Sequence, residues 1–334
     1  MIDYIKNILS LFVLIYGLFV YFFFKKNTNI AHQALVRTYV LTGGLSNKLL
    51  SKLISLYNCR KIKSIEINSY EFKKKEEFIS DVLNNDGYYV FKQKIQQSEI
   101  NTLTDFAQNS NGFFFKESGK LVELSYRKFD SSSATFNYDE NVLIGNSLIR
   151  KLATNKLFIN IASEYFQSVP ILSAMNMWWS IPAANIDSVS GQLYHFDMDR
   201  IKFLKFFIYL TDVDINSGPH CYVKGTHKLF FKKKLLNKGY QRISDSEIKN
   251  NYSNEHTKTL IGDAGTIIVG DTSCFHKGLP PKNSNRLILE FEYSNSLFGT
   301  PDKKILDISK KIVKTDPILE PLVKNRSPIL SRYY

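Results

Sequence analysis

The chain has 334 residues, 44% of them hydrophobic, which is enough apolar matter for a large core and excludes global disorder. Lys and Arg number 44 against 31 Asp and Glu, a formal net charge of +13. No basic run is interleaved with aromatic residues in a nucleic-acid-binding pattern, so nucleic acid is not an expected partner. What the charge leaves open is an anionic lipid surface, an acidic substrate, or plain solubility.

In chain order, Ile8 to Phe24 comes first, a 17-residue run without charge that ends at Lys25-Lys26. As a helix it measures about 26 Å at ~1.5 Å per residue, the lower limit for crossing a bilayer. A cleaved signal peptide lacks its small-residue cleavage site here, and a buried core helix does not suit a terminal segment apolar all round. The expectation is therefore an uncleaved transmembrane anchor over 1–27. The Lys25, Lys26 and Arg37 side is expected to be cytoplasmic, which makes the expected protein single-pass with its main domain in the cytoplasm. Residues 28–80 read as a helical stem or accessory layer, with Ser46 as cap of a helix over 47–57.

The main domain is expected over 81–300. Asp86-Gly87 is a turn and Tyr88 to Phe91 a short strand. Helices follow over 99–108 with Ser98 as cap, over 142–152, and over 156–166 with Asn155 as cap. Beyond Pro170 the period changes to that of strands: 171–181, 203–210, 220–223, 266–269 and 287–293. The run 203–210 is nearly all apolar, as in a strand covered on both faces. Helices followed by many short strands give an α+β class with a β-barrel core. Residues 301–334 are expected to hold an amphipathic helix over 302–313 and an extended tail carrying Pro317, Pro321 and Pro328. The three cysteines, Cys59, Cys221 and Cys274, are odd in number and widely spaced, which suits a reducing compartment; Cys274 is expected to be a small buried filler.

The chemistry centres on Tyr194-His195-Phe196-Asp197. In extended chain, residues i and i+2 share a face, so His195 and Asp197 can bind one metal ion. His276 is the best third ligand. Two His and one carboxylate form the facial triad of non-haem Fe(II) oxygenases, which leaves coordination positions open. A lone HxD is weak, but here it stands in an ordered set. Gly218-Pro219, Gly225-Thr226-His227, Gly262-Asp263, His276 and Arg286 follow in turn.

With these motifs the chain, from about Asp86 to Tyr293, resembles the phytanoyl-CoA dioxygenase-like family of Fe(II)/2-oxoglutarate oxygenases. The resemblance implies a double-stranded β-helix (jelly-roll) core, iron ligation by His195, Asp197 and His276, and a salt bridge from Arg286 to 2-oxoglutarate. The planar fork of an arginine suits the distal carboxylate of that cosubstrate. Lys205, a cation inside an apolar strand, is a second candidate for the same carboxylate. Trp178 and Trp179 are candidates for the substrate mouth; His220 and His227 are imidazoles near the site with no iron role assigned. Related halogenases replace the carboxylate ligand with a small residue, so Asp197 favours hydroxylation. The expected activity is hydroxylation of a C–H bond in a small-molecule or lipid-like substrate, with O₂ as co-reactant. The rival expectations are a catalytically silent scaffold at the membrane and a zinc hydrolase on the same ligands.

Overall fold

The computed structural model describes residues 2–62, 70–182, 193–229, 231–232, 235 and 241–301. Side chains are described from Leu9 onward in the first helix, and not for 58–62 or 70–73. The expected C-terminal helix and tail lie outside the described residues.

Four helices open the chain: α1 (Ile2–Phe24), α2 (Asn29–Thr42), α3 (Leu45–Ile62) and α4 (Tyr70–Asp86). No helix among the described residues is long and apolar enough to cross a membrane, which goes against the span expected over 8–24. The segment is helical, but one face of it is used inside the protein. Leu14 is buried with Ala31, Ala34 and Leu35 of α2 and with Ile201 and Phe298 of the main domain. A Cβ on Gly17 would fall on that of Ala31, so glycine is what lets the two backbones approach. Thr28 caps α2, accepting from the Ala31 N–H, and left-handed Gly43 closes it. The chain re-enters a helix at Leu45, one residue before the expected cap at Ser46.

The region 28–57 lies on the main domain as a layer. Val36 and Tyr39 pack with Tyr194 and Phe196. The His32 ring contacts the Met198 carbonyl at 3.0 Å, and Asn47 donates to the Ile201 carbonyl at 3.0 Å. Buried polar groups need such partners, and these fix where the layer sits.

The helices α5 (Gln97–Asn109), α6 (Glu140–Ile144), α7 (Ser147–Ala153) and α8 (Lys156–Phe166) flank the sheets, and a short α9 (Asp245–Asn251) follows later. The helix expected over 142–152 is two, because Asn146 stops the first and caps the second by accepting from Leu148 and Ile149 N–H groups. Asn155 caps α8 as the sequence suggested, whereas α5 begins at Gln97, ahead of Ser98.

The strands are β1 (Tyr88–Val90), β2 (Asn111–Phe115), β3 (Leu121–Ser125), β4 (Thr135–Asn137), β5 (Ile171–Ser180), β6 (Phe203–Tyr209), β7 (His220–Val223), β8 (Thr257–Leu260), β9 (Ile267–Gly270), β10 (His276–Gly278) and β11 (Arg286–Ser294). They form an eight-stranded sheet, β1-β9-β6-β11-β5-β4-β2-β3, and a three-stranded sheet, β10-β7-β8. Every pairing is antiparallel. This mixed α and β architecture with antiparallel sheets is consistent with a jelly-roll.

Alternation along β6 and β11 shows how the sequence makes a two-sided sheet. Leu204, Phe206 and Ile208, with Leu287, Leu289 and Phe291, face the helices and join Phe158 and Tyr165 of α8 in the largest core cluster. Phe207, Tyr209 and Ile288 face the other way, onto Tyr222 and Leu260 of the small sheet. Both faces of β6 are buried, as its unbroken apolar run implied. The inward face also carries Lys205, Arg286, Glu290 and Glu292, and a polar interior of this kind implies chemistry.

Candidate metal centre and cosubstrate cleft

Backbone pairing brings the three ligand candidates together. His195 and His276 form an antiparallel bridge: the His195 N–H donates to the His276 carbonyl at 3.0 Å and the reverse bond is 2.8 Å. Residues in such a pair sit directly opposite one another, so the two rings lie side by side, with centroids 4.3 Å apart. Asp197 is held two residues on by its N–H, which donates to the Thr272 carbonyl at 2.8 Å.

The side chains then converge. Asp197 Oδ1 lies 3.6 Å from His195 Nε2, and Oδ2 lies 3.5 Å from His276 Nε2. One ligand atom from each of the three residues falls within 4.8 Å of the others, the only such group of three or more His, Cys, Asp or Glu among the described residues. Ligands on one face of a metal at bond lengths of about 2.1 Å stand about 3 Å apart, so a small inward movement completes the shell. Each Nδ1 faces a backbone carbonyl, Leu193 O at 2.9 Å for His195 and Cys274 O at 3.0 Å for His276. A carbonyl only accepts, so both Nδ1 atoms carry the proton and both Nε2 lone pairs point at the shared centre. Burial, then the neighbouring His276, pushes the His195 imidazole down to about 3, and burial likewise lowers His276. Both rings are thus neutral and competent to ligate. Burial alone would raise the Asp197 carboxyl, but Lys205 foremost, with the two imidazoles, holds it below the usual carboxylate range.

Lys205 stands at this centre. Its Nζ is 2.8 Å from Asp197 Oδ2, 2.9 Å from Asp199 Oδ2 and 3.7 Å from Glu292 Oε2. These carboxylates keep the ammonium charged although burial opposes it. The strand register places Lys205 opposite Glu292, six residues along β11 from Arg286 and about 20 Å by strand rise. The structure therefore does not bring Lys205 to Arg286.

Arg286 is 4% exposed, and its Nη2 donates to Ser180 Oγ at 2.8 Å, across the β11–β5 pair. Its Nε and Nη1 are buried without a hydrogen-bond partner among the described residues. Burial pushes the guanidinium down to about 10, with no carboxylate among the described residues beside it to oppose the shift. Unpaired buried donors are rare because each costs about 1–3 kcal/mol, so this fork calls for an acceptor. A Cβ on Gly278 would stand 3.4 Å from Nη2. Gly278 lies two residues beyond His276 on β10, or about 7 Å of strand, which is close to the span of a five-carbon diacid. His220 Nδ1 and the Tyr222 hydroxyl are also buried without partners among the described residues. They sit on β7, in register with Gly278 and His276, so unpaired polar atoms run along β7 beside β10. His220 was visible in the sequence as an imidazole near the site. Tyr222 was missed, though its spacing from His220 puts it on the same strand face. Ser180 and Glu292 were missed too, because they meet the site only through strand register.

The remaining candidates have other work. Trp179 is buried and its indole donates to the Tyr138 hydroxyl at 3.1 Å, while Trp178 packs on the interior cluster. His227 Nδ1 lies 3.2 Å from Cys274 Sγ and its Nε2 3.1 Å from the Asn84 carbonyl. These two side chains fill the space against Gly87, whose φ of 86° and missing Cβ permit the approach. Burial raises the Cys274 thiol to about 12, as befits an inert filler.

The phytanoyl-CoA dioxygenase family profile matches residues 83–286. The chain belongs to that family, and so to the iron- and 2-oxoglutarate-dependent oxygenases. The residues fit the iron and cosubstrate that the family implies: a facial triad with oriented imidazoles, and a guanidinium fork awaiting a carboxylate. No curated protein sequence matches the chain. Solved structures similar to it include the non-haem α-ketoglutarate-dependent epimerase SnoN from nogalamycin biosynthesis, at 15% identity and TM-score 0.45 over 66% of this chain and 83% of that one. HygX from Streptomyces hygroscopicus, with nickel, 2-oxoglutarate and hygromycin B bound, is 12% identical at TM-score 0.46, covering 66% and 88%. The carbocyclase SnoK is 12% identical at TM-score 0.44, covering 68% and 84%. The family assignment rests on the profile match and not on these distant folds.

Proposed function

We propose that the protein is a hydroxylase of this family, acting on a C–H bond of a small-molecule substrate, with His195, Asp197 and His276 as iron ligands. The observation that carries the reading is one interior holding both a three-ligand centre and, about 7 Å further along β10, two unsatisfied donors of Arg286. Arg286 binds the distal carboxylate of 2-oxoglutarate; Ser180 takes one hydrogen of Nη2 and fixes the plane of the guanidinium, leaving its other N–H groups to the ligand. Bound iron with 2-oxoglutarate supplies the oxidising power, as O₂ is consumed, the cosubstrate becomes succinate and CO₂, and one oxygen atom enters the product. Asp197 supports hydroxylation in particular, since it keeps a carboxylate where a halide would otherwise bind. Lys205 holds that carboxylate in position and neutralises the acid-rich end of the cleft. A lipid-like substrate is the class that the apolar N-terminal helices favour. We place the catalytic domain in the cytoplasm, where iron and 2-oxoglutarate are at hand and free thiols persist.

Anaerobic titration of the purified protein with Fe(II) and 2-oxoglutarate tests the reading. The expected result is the weak visible charge-transfer band of the chelate, followed by succinate release on admitting O₂ with a lipid-like substrate panel. Absence of the band would return the protein to the silent-scaffold reading. Turnover that needs zinc and not O₂ would make it a hydrolase.

A further inference from the structure

The N-terminal helices turn a large apolar face outward. On α1, Phe12 (64% exposed), Tyr16 (68%), Phe19 and Phe23 follow one another at helical spacing, opposite the face that Leu14 and Gly17 bury. On α3, Leu49, Leu53, Leu56 and Tyr57 form a second exposed stripe at i, i+4, i+7 and i+8. The two stripes meet across a groove of about 380 Å³ whose walls include Phe19, Phe22 and Phe23 of α1 and Leu53 and Ile54 of α3. At about 100 Å² for each half-exposed aromatic ring, α1 alone shows about 400 Å², at the limit of what a free surface carries.

The charge of this segment identifies what covers the face. Residues 4–65 contain nine Lys and Arg and no Asp or Glu, in a chain with 31 acids elsewhere or at position 3. Lys25, Lys26, Arg37, Lys48 and Lys52 are exposed. Lys25 Nζ lies 5.5 Å from the rings of Tyr21 and Phe22, so its charge sits at the edge of the apolar face. Lys48 and Lys52 flank the α3 stripe and line, with Lys202 and Lys228, a cavity of about 740 Å³ behind that helix. An apolar face on helices that carry cations and no acid over 4–65 is complementary to one surface above all, anionic headgroups over hydrocarbon.

We propose that α1 and α3 dock the protein in the plane of an anionic phospholipid bilayer, lying on it and not crossing it. Phe12, Tyr16, Phe19 and Phe23 enter the headgroup–acyl boundary, and Lys25, Lys26, Lys48 and Lys52 meet the phosphates. The inner face of α1 stays on α2 and Phe298, so the oxygenase domain is held close to the lipid. The inference uses none of the residues that carry the iron site and stands or falls apart from it.

Flotation of the full-length protein with vesicles tests it. The wild type is expected to float with phosphatidylcholine–phosphatidylserine vesicles, at least about tenfold better than with phosphatidylcholine alone, and to lose that advantage at high salt. On the same vesicles F12S/F19S/F23S and, separately, K25E/K26E are each expected to bind at least about tenfold more weakly. Hydrogen exchange on the wild type gives a reading free of any folding defect in the variants: added anionic vesicles should protect 9–24 and 45–57 and leave β6 and β11 unchanged. Carbonate should strip the protein from membranes. Failure to float with anionic vesicles overturns the proposal, as does protection in the barrel strands without protection in α1. Retention after carbonate would mean a spanning helix, and a dimer abolished by F12S/F19S/F23S in a protein that does not float would mean that a second copy covers the face.

Discussion

Replacing Arg286 by Met should separate the cost of the arginine from its use. Among the described residues the buried guanidinium has one partner, Ser180 Oγ, and two nitrogens with none. Burial pushes it down to about 10 from its ordinary value, which is a penalty on the charged form. Methionine fills similar space and removes that charge, so the ligand-free variant should melt no lower than the wild type. The cosubstrate tells the opposite story. A bidentate charge-assisted contact is worth about 2–4 kcal/mol, or a loss of about 30- to 1000-fold in 2-oxoglutarate affinity. Calorimetric titration of 2-oxoglutarate into the Mn(II)-loaded protein, beside thermal melts with and without it, reads both quantities. The wild type should gain thermal stability with 2-oxoglutarate and the variant should not. Affinity of the variant within about threefold of wild type would refute the reasoning, because the orphaned donors would then have nothing to do with the ligand.

Three further outcomes follow from the site and its surroundings. Asp197→Ala should lose metal binding, measured by Mn(II) titration and electron paramagnetic resonance, and with it all succinate formation, since two imidazoles alone do not complete the triad. Lys205→Met removes the cation that joins Asp197, Asp199 and Glu292, and should cost about 3–5 kcal/mol in urea unfolding; Lys205→Arg should recover most of it, and added Mn(II) part of it. Lys232, buried against Phe196 and bonded to the Tyr39 hydroxyl and the Ser273 carbonyl, is pushed down to about 8 by burial. The unfolded chain therefore binds the extra proton between pH 8 and 10.5, so this lysine makes stability rise with pH across that window, by at most about 3 kcal/mol. Lys232→Met should flatten the rise, and an unchanged difference between wild type and variant from pH 7 to 10 would contradict the shift.

What the sequence made legible was local. The period-two spacing of His195 and Asp197, the apolar run of β6 and the Asn155 cap can each be read within a few residues, and each is realised as read. What it hid depends on register between strands distant in sequence. Lys205 was visible as a cation in an apolar strand, but only the β6–β11 pairing shows that it faces Glu292 at one end of β11 while Arg286 stands at the other. Hydropathy misled at α1 for a related reason. An all-apolar helix at a terminus reads as a membrane span, yet Gly17 and Ala31 give it a protein partner that no local pattern discloses.

The inner face of β11 brings these separate readings together. Arg286, Ile288, Glu290 and Glu292 alternate along it, so one strand carries a cation at one end and carboxylates at the other. Lys205, facing Glu292, offsets the acidic end at the metal ligands; among the described residues no carboxylate offsets Arg286. The field along the cleft thus runs from an unpaired positive charge toward an acid-rich centre that binds a cation. A diacid with one end chelating that cation and the other on Arg286 is matched at both ends, and reversal is prevented because only a 2-oxo acid can chelate. Symmetrical dicarboxylates should therefore bind more weakly than 2-oxoglutarate when metal is present, and nearly as well as 2-oxoglutarate when it is absent, since Arg286 then provides the whole of the recognition. Competition titrations with glutarate, run with and without Mn(II), measure the difference. Equal affinities in the presence of Mn(II) would show that the diacid never reaches the triad.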